Sequence, residues 1–153
     1  MLEIFVDGDA CPVKAETELV SARHQLVVHM VSNRGLRPGH NPLVRNIIVA
    51  EGADAADDWI AAHIDADDIA VTADIPLASR CLKKGARVLG PSGYLFTADS
   101  IGHALAMRDL NRHLREASRG ETYHAGLTRQ DRSRFLGALE NEIAAIRRQA
   151  ASR

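Results

Sequence analysis

Apolar residues in this chain gather in short runs, each closed by a glycine, a proline or an acid and followed by a stretch of mixed polarity. "LEIFV" (2–6) is the first such run, bounded by Asp7 and Gly8, and it reads as a buried strand. Pro12 suits the first position of a helix, where a missing N–H costs nothing. "VKAETELVSAR" continues that helix, with Val13, Leu19 and Val20 as its apolar support. "QLVVHMVS" (25–32) is a second strand, and "NRGLRPGHNP" (33–42) is a loop rich in glycine and proline. "LVRNIIVA" (43–50) is a third strand, ended before Gly52. "DAADDWIAAHI" (54–64) is a helix with acids in its first turn, where they favour the helix dipole.

"DIAVTA" (68–73) follows as a fourth strand, "IPLASRCLKK" (75–84) as a helix stopped by Gly85, and "ARVLG" (86–90) as a fifth strand. The order β-α-β-β-α-β-α-β predicts an α/β fold, a three-layer sandwich with a mainly parallel sheet of about five strands. The last third differs. Residues 99–118 and 128–148 predict two C-terminal helices packed on that sheet within one domain spanning 1–153. The second opens with Thr128 and Asp131 in a capping-box arrangement, Asp standing where Glu is usual. Its Leu136, Leu139, Ile143 and Ile146 form an apolar stripe, suited to the sheet or to a second copy of the chain.

Composition changes this picture little. The chain has 153 residues, 46% of them hydrophobic and 25% charged, and a net charge of −1, the profile of a globular domain. No apolar run is long enough to span a bilayer, and the first residues do not resemble a signal peptide. Cys11 and Cys81 make neither a disulfide framework nor a metal motif, so two free thiols in a cytoplasmic protein are expected.

Charge is distributed unevenly. Residues 107–153 carry ten arginines against six acids, while residues 1–106 carry nine bases against fourteen acids. Arg108, Arg112, Arg115 and Arg119 recur at spacings of four, three and four, which aligns them on one helix face. Such a face suits a phosphate backbone, and RNA is the partner it points to. Its structural reading is a solvated face with Asp109 and Glu116 as local partners. Arg34, Arg37 and His40 in the glycine-rich loop offer further contacts. With aromatic residues at only 4%, base stacking is minor; Tyr94 and Phe96 read as core or rim.

The chemistry suggested by the acids depends on where the strands end. In open parallel sheets, ligands bind beyond the carboxyl ends of the strands. Asp7 and Asp9 follow the first strand, Asp54 and Asp57 follow the third, and Asp74 follows the fourth directly. Asp58, Asp65, Asp67 and Asp68 read as surface or turn acids. Each strand-end acid alone has a structural role open to it, such as capping a helix. Together they repel unless a cation stabilises them, and oxygen-only ligation suits Mg²⁺ or Mn²⁺.

Five stretches carry a resemblance: "VDGDACPVK" (6–14), "GADAADDWI" (52–60), "VTADIPLA" (71–78), "MRDLNRHLR" (107–115) and "LTRQDRSRF" (127–135). With them the chain resembles the YaiI/YqxD family of bacterial proteins over roughly residues 2–143, with Gly8 where alanine is expected. That family resembles a branch of the PIN-like superfamily, whose members are often Mg²⁺- or Mn²⁺-dependent ribonucleases. The resemblance implies metal-holding catalytic acids at Asp7, at Asp57 with Asp54 as the alternative, and at Asp74. The superfamily's further acid shortly after the last one is missing here, and Asp9 is the available substitute. Lys14 or Arg108 is placed to neutralise a phosphate.

Other readings compete with a nuclease. One is an RNA- or protein-binding module that kept the fold without turnover. Another is a haloacid-dehalogenase-like phosphatase, since "IFVDGD" matches a strand ending in Asp-x-Asp; its second acid pair after a late strand is missing. A third uses Cys11 as a nucleophile near a helix start, opposed by the surrounding carboxylates.

Overall fold

The computed structural model describes residues 2–9, 11–33, 41–50, 52, 54–103 and 127–152 of the chain. The described elements run β1 (Ile4–Asp7), α1 (Lys14–His24), β2 (Val28–Ser32), β3 (Val44–Ile48), α2 (Ala55–His63), β4 (Ile69–Val71), α3 (Ile75–Lys83), β5 (Arg87–Leu89) and β6 (Leu95–Phe96). A helical segment at 98–103 follows, and the C-terminal helix spans Arg129–Ala151. The expected helix at 99–118 lies outside the described residues beyond 103, and so do Arg108, Arg112, Arg115, Arg119, Arg34, Arg37 and His40.

The six strands form one sheet in the order β3-β2-β1-β4-β5-β6, parallel throughout except for the antiparallel β5–β6 pair. From β1 the chain proceeds to β2 on one side, and it later returns to β4 on the other side. The carboxyl ends of β1 and β4 therefore flank the point where strand order reverses, the place where open α/β sheets form a crevice.

Strand alternation builds the layers. Ile4 and Val6 of β1 join Val28, Met30, Ile69 and Val71 in a core roofed by α1 and the C-terminal helix. Phe5 turns the other way, with Val31, Ala70 and Val88, into a core roofed by α2 and α3. Asp7 is two residues beyond Phe5, so the same alternation directs it to the α2–α3 side. This is a three-layer sandwich.

The C-terminal helix settles which partner its apolar stripe takes. Phe135, Leu139, Ile143 and Ile146 are all buried in the β1-side core, so the face is spent within the chain. Phe135 replaces Leu136 in the expected stripe, since Leu136 is only partly buried. The capping box forms as expected: the Asp131 N–H donates to Thr128 Oγ1 at 3.0 Å, and the Thr128 N–H donates to Asp131 Oδ2 at 3.0 Å.

Four local expectations need correction. α1 begins at Lys14 rather than at Pro12, which lies in the preceding turn. Leu19 is 56% exposed, while Val13, Thr17 and Val20 are buried. Asp68 is a turn acid but a buried one, accepting N–H bonds from Glu3 at 3.0 Å and Asp65 at 2.9 Å. β6 was not expected from the sequence; two residues are too short for any periodicity to show.

Candidate active site

The strand ends bring the acids together. Asp7, Asp9, Asp57 and Asp74 line one cavity of about 410 Å³, with Asn33, Gly52 and Ala56 completing its wall. Asp7 is the last residue of β1, Asp57 lies in the first turn of α2, and Asp74 occupies the N-cap of α3. Asp54, the N-cap of α2, makes no capping bond through its side chain and is not in the cavity wall. Its charge still acts on Asp57. Lys14, proposed to meet a phosphate, is the first residue of α1.

Each acid has structural ties as well. Asp74 Oδ1 accepts the Leu77 N–H at 2.9 Å and so caps α3. Asp9 accepts the Asn33 N–H at 3.2 Å and 3.1 Å, one contact to each carboxylate oxygen, and so links the ends of β1 and β2. The Thr72 hydroxyl donates to Asp7 Oδ2 at 3.2 Å and accepts the Asp74 N–H at 3.0 Å. Thr72 and Asn33 are residues that the sequence reading did not single out. Thr72 was within reach, because "VTAD" places it one strand step beyond Ala70 on the Asp7 face.

Electrostatics mark the same place. Burial raises the Asp7 carboxyl above its ordinary range; the Thr72 hydroxyl pulls it back, and the charges of Asp74 and Asp9 add to the rise. Asp57 is pushed up to about 6, first by burial and then by the charges of Asp74, Asp7 and Asp54, with Arg80 opposing. Crowded carboxylates of this kind favour either a shared proton or a cation.

The donor set is all oxygen, which suits a hard divalent cation. Among the described residues, however, no three His, Cys, Asp or Glu side chains stand close enough to hold one ion together. A divalent cation here would have to be held by one or two carboxylates, with water or phosphate oxygens filling the rest. Cys11 fares differently. Burial pushes its thiol up to about 11, and Asp7 and Glu16 add to that against Lys14. It stays protonated at neutral pH, which removes it as a ready nucleophile.

Fold and site together define an open, mostly parallel α/β protein with a cluster of acids at its switch point. The chain belongs to the uncharacterised YaiI/YqxD family, whose model matches residues 5–145. It is 57% identical over 137 residues to a UPF0178 protein of Mesorhizobium japonicum, covering 90% of this chain and 88% of that one. A UPF0178 protein of Parvibaculum lavamentivorans is 55% identical over 148 residues, 97% of each chain. One from Rhodospirillum rubrum is 55% identical over 148 residues, covering 96% of this chain and 99% of that protein. No solved structure matches the chain significantly. Among the described residues, no helix is long and apolar enough to cross a membrane.

Proposed function

We infer that the protein is a Mg²⁺- or Mn²⁺-dependent phosphodiesterase acting on RNA, in the manner of the PIN-like nucleases it resembles. The observation that carries this reading is the single cavity lined by Asp7, Asp9, Asp57 and Asp74 at the β1–β4 switch point. A bound cation supplies positive charge to a phosphate and makes a water molecule more acidic. Asp7 and Asp57 gain most from such an ion, because burial and mutual repulsion both disfavour their charged forms. Asp57, with its carboxyl near 6, is also suited to exchange a proton at neutral pH. Asp74 contributes from a fixed position, since its cap bond to Leu77 holds one oxygen in place. Lys14, at the start of α1, supplies a cation for the phosphate, and the arginines at 108, 112, 115 and 119 supply a strand-binding face.

The test is cleavage of end-labelled single-stranded RNA in Mn²⁺, compared with the Asp7→Asn/Asp74→Asn double variant. Loss of several kcal/mol of charge stabilisation corresponds to a drop of at least about a hundredfold. Equal cleavage by both proteins removes these acids from the reaction. A second reading, a binding module without turnover, is favoured by one observation: no three described acids close around a single ion. It predicts RNA retention without cleavage. A phosphatase that uses Asp9 as its acid–base group is weaker, since the Asn33 N–H already occupies that carboxylate.

A further inference from the structure

A second cavity, of about 280 Å³, opens on the same face of the sheet and shares no lining residue with the acids. Strand register builds its floor by setting Phe5, His29 and Arg45 side by side across β1, β2 and β3. α2 contributes Trp59 and His63, one turn apart on the helix. The rings make a continuous wall. Phe5 and His29 stack with centroids 4.5 Å apart, Trp59 and His63 stack at 3.9 Å, and His29 meets Trp59 at 5.8 Å. The His63 Nδ1–H donates to the Trp59 backbone oxygen at 2.8 Å, which fixes the outer ring. Elsewhere the buried face of α2 is aliphatic, made of Ala56, Ile60 and Ala61. Aromatic side chains are therefore confined to the part of the helix that borders the cavity.

The polar groups of this cavity are only partly used. Glu3 accepts from His29 Nε2 at 2.6 Å, so the one carboxylate present is committed to a ring rather than to the guanidinium. Arg45 is exposed and makes no ion pair with any described residue. His29 is 8% exposed, and its Nδ1 is buried with no hydrogen-bond partner among the described residues. A ring-lined void forfeits dispersion contacts on its empty side.

A planar ligand with an acidic group meets these conditions. Its ring lies against aromatic walls, where offset stacking adds to simple burial. Its anion meets the flat guanidinium fork of Arg45, which matches carboxylate and phosphate oxygens in pairs. The volume lies just below the usual range for ligand pockets and limits the buried part of the occupant to one ring or two fused rings. We propose that this pocket binds a small planar aromatic molecule carrying one anionic group, held by Arg45 and the Phe5–His29–Trp59–His63 wall. An aromatic carboxylate has that chemistry, and a mononucleotide presents it through its planar base and its phosphate. The proposal stands apart from the phosphodiesterase reading, since the two cavities have no residue in common.

Trp59 is the only tryptophan in the chain, so its fluorescence reports on this pocket alone. The experiment titrates wild-type protein with benzoate and with uridine 5′-monophosphate, and with benzamide and uridine as their uncharged counterparts. It repeats the anions on Arg45→Gln and on Asp74→Asn, with circular dichroism to verify folding. At least one anion is expected to change Trp59 emission saturably. Binding should weaken about tenfold in Arg45→Gln and for the uncharged counterpart, as loss of one charge-assisted contact implies. It should be unaltered in Asp74→Asn. A response to the nucleotide alone assigns the source as a nucleotide, and a response to benzoate alone assigns it as an aromatic acid. No saturable change with either anion overturns the proposal. So does equal affinity in Arg45→Gln, or a loss in Asp74→Asn as large as that in Arg45→Gln.

Discussion

The Thr72 hydroxyl donates to Asp7 Oδ2 at 3.2 Å across the β1–β4 seam, and Thr72 Oγ1 itself accepts the Asp74 N–H at 3.0 Å. One buried side chain thus ties the last residue of β1 to the N-cap residue of α3, two acids that repel each other. Thr72→Val keeps the shape but removes both bonds, leaving the Asp74 N–H without its partner. The expected cost is about 1–3 kcal/mol in urea unfolding. Thr72→Ser, which retains the hydroxyl, should recover most of it. Equal stability for Val and Ser would mean that the methyl group matters here and the hydroxyl does not.

Asp57 makes stability depend on pH in an uncommon direction. Its folded pKa, about 6, lies above the ordinary 3.8, so ionising it costs the folded state. That cost is absent below about pH 4 and complete above about pH 7. The metal-free protein should lose stability through this group as pH rises across that window. Asp57→Asn should raise the melting temperature at pH 7.5 and give no gain at pH 4. The variant does lose a favourable acid in the first turn of α2, worth under about 1 kcal/mol. Because the net shift is upward, burial and repulsion outweigh that helix-dipole term. A lower melting temperature for Asp57→Asn at pH 7.5 would contradict this balance.

Gly93 couples the sheet to the C-terminal helix. Its φ is +93°, and a Cβ there would sit 2.7 Å from the backbone carbon of Arg134. Backbone cannot yield as a flexible side chain can, and an L residue is strained at that φ in any case. Gly93→Ala should therefore destabilise the protein by at least about 1–3 kcal/mol in urea unfolding. Gly102→Ala is the control, since nothing lies within 4 Å of a Cβ at that position.

Much of the fold was legible because its strands are short apolar runs cut by glycines, prolines and acids. "LEIFV" covers β1 up to its last residue, Asp7, and "DIAVTA" contains β4; the acid after each run lines the cavity beyond the strand ends. Asp7, Asp57 and Asp74 could be grouped because all three follow from one rule about where parallel sheets bind ligands. Other features depend on three-dimensional neighbours that periodicity does not reveal. Asp9 reaches Asn33, 24 residues away, only because β1 and β2 are adjacent. Phe5, His29, Trp59 and His63 lie on three elements, and each alone reads as an ordinary strand or helix residue. Of the two acids offered after β3, Asp57 lines the cavity and Asp54 does not, a choice set by where α2 sits on the sheet.

Whether the acids after β1 and β4 form one cation site is decided by isothermal titration of Mn²⁺ into metal-free protein, with Asp7→Asn/Asp74→Asn alongside. Asn is as good a helix cap as Asp, so the variant should keep the start of α3 intact. Saturable binding is expected in the wild type, and its loss in the variant. Equal Mn²⁺ binding in both, or none in the wild type at millimolar metal, would contradict it.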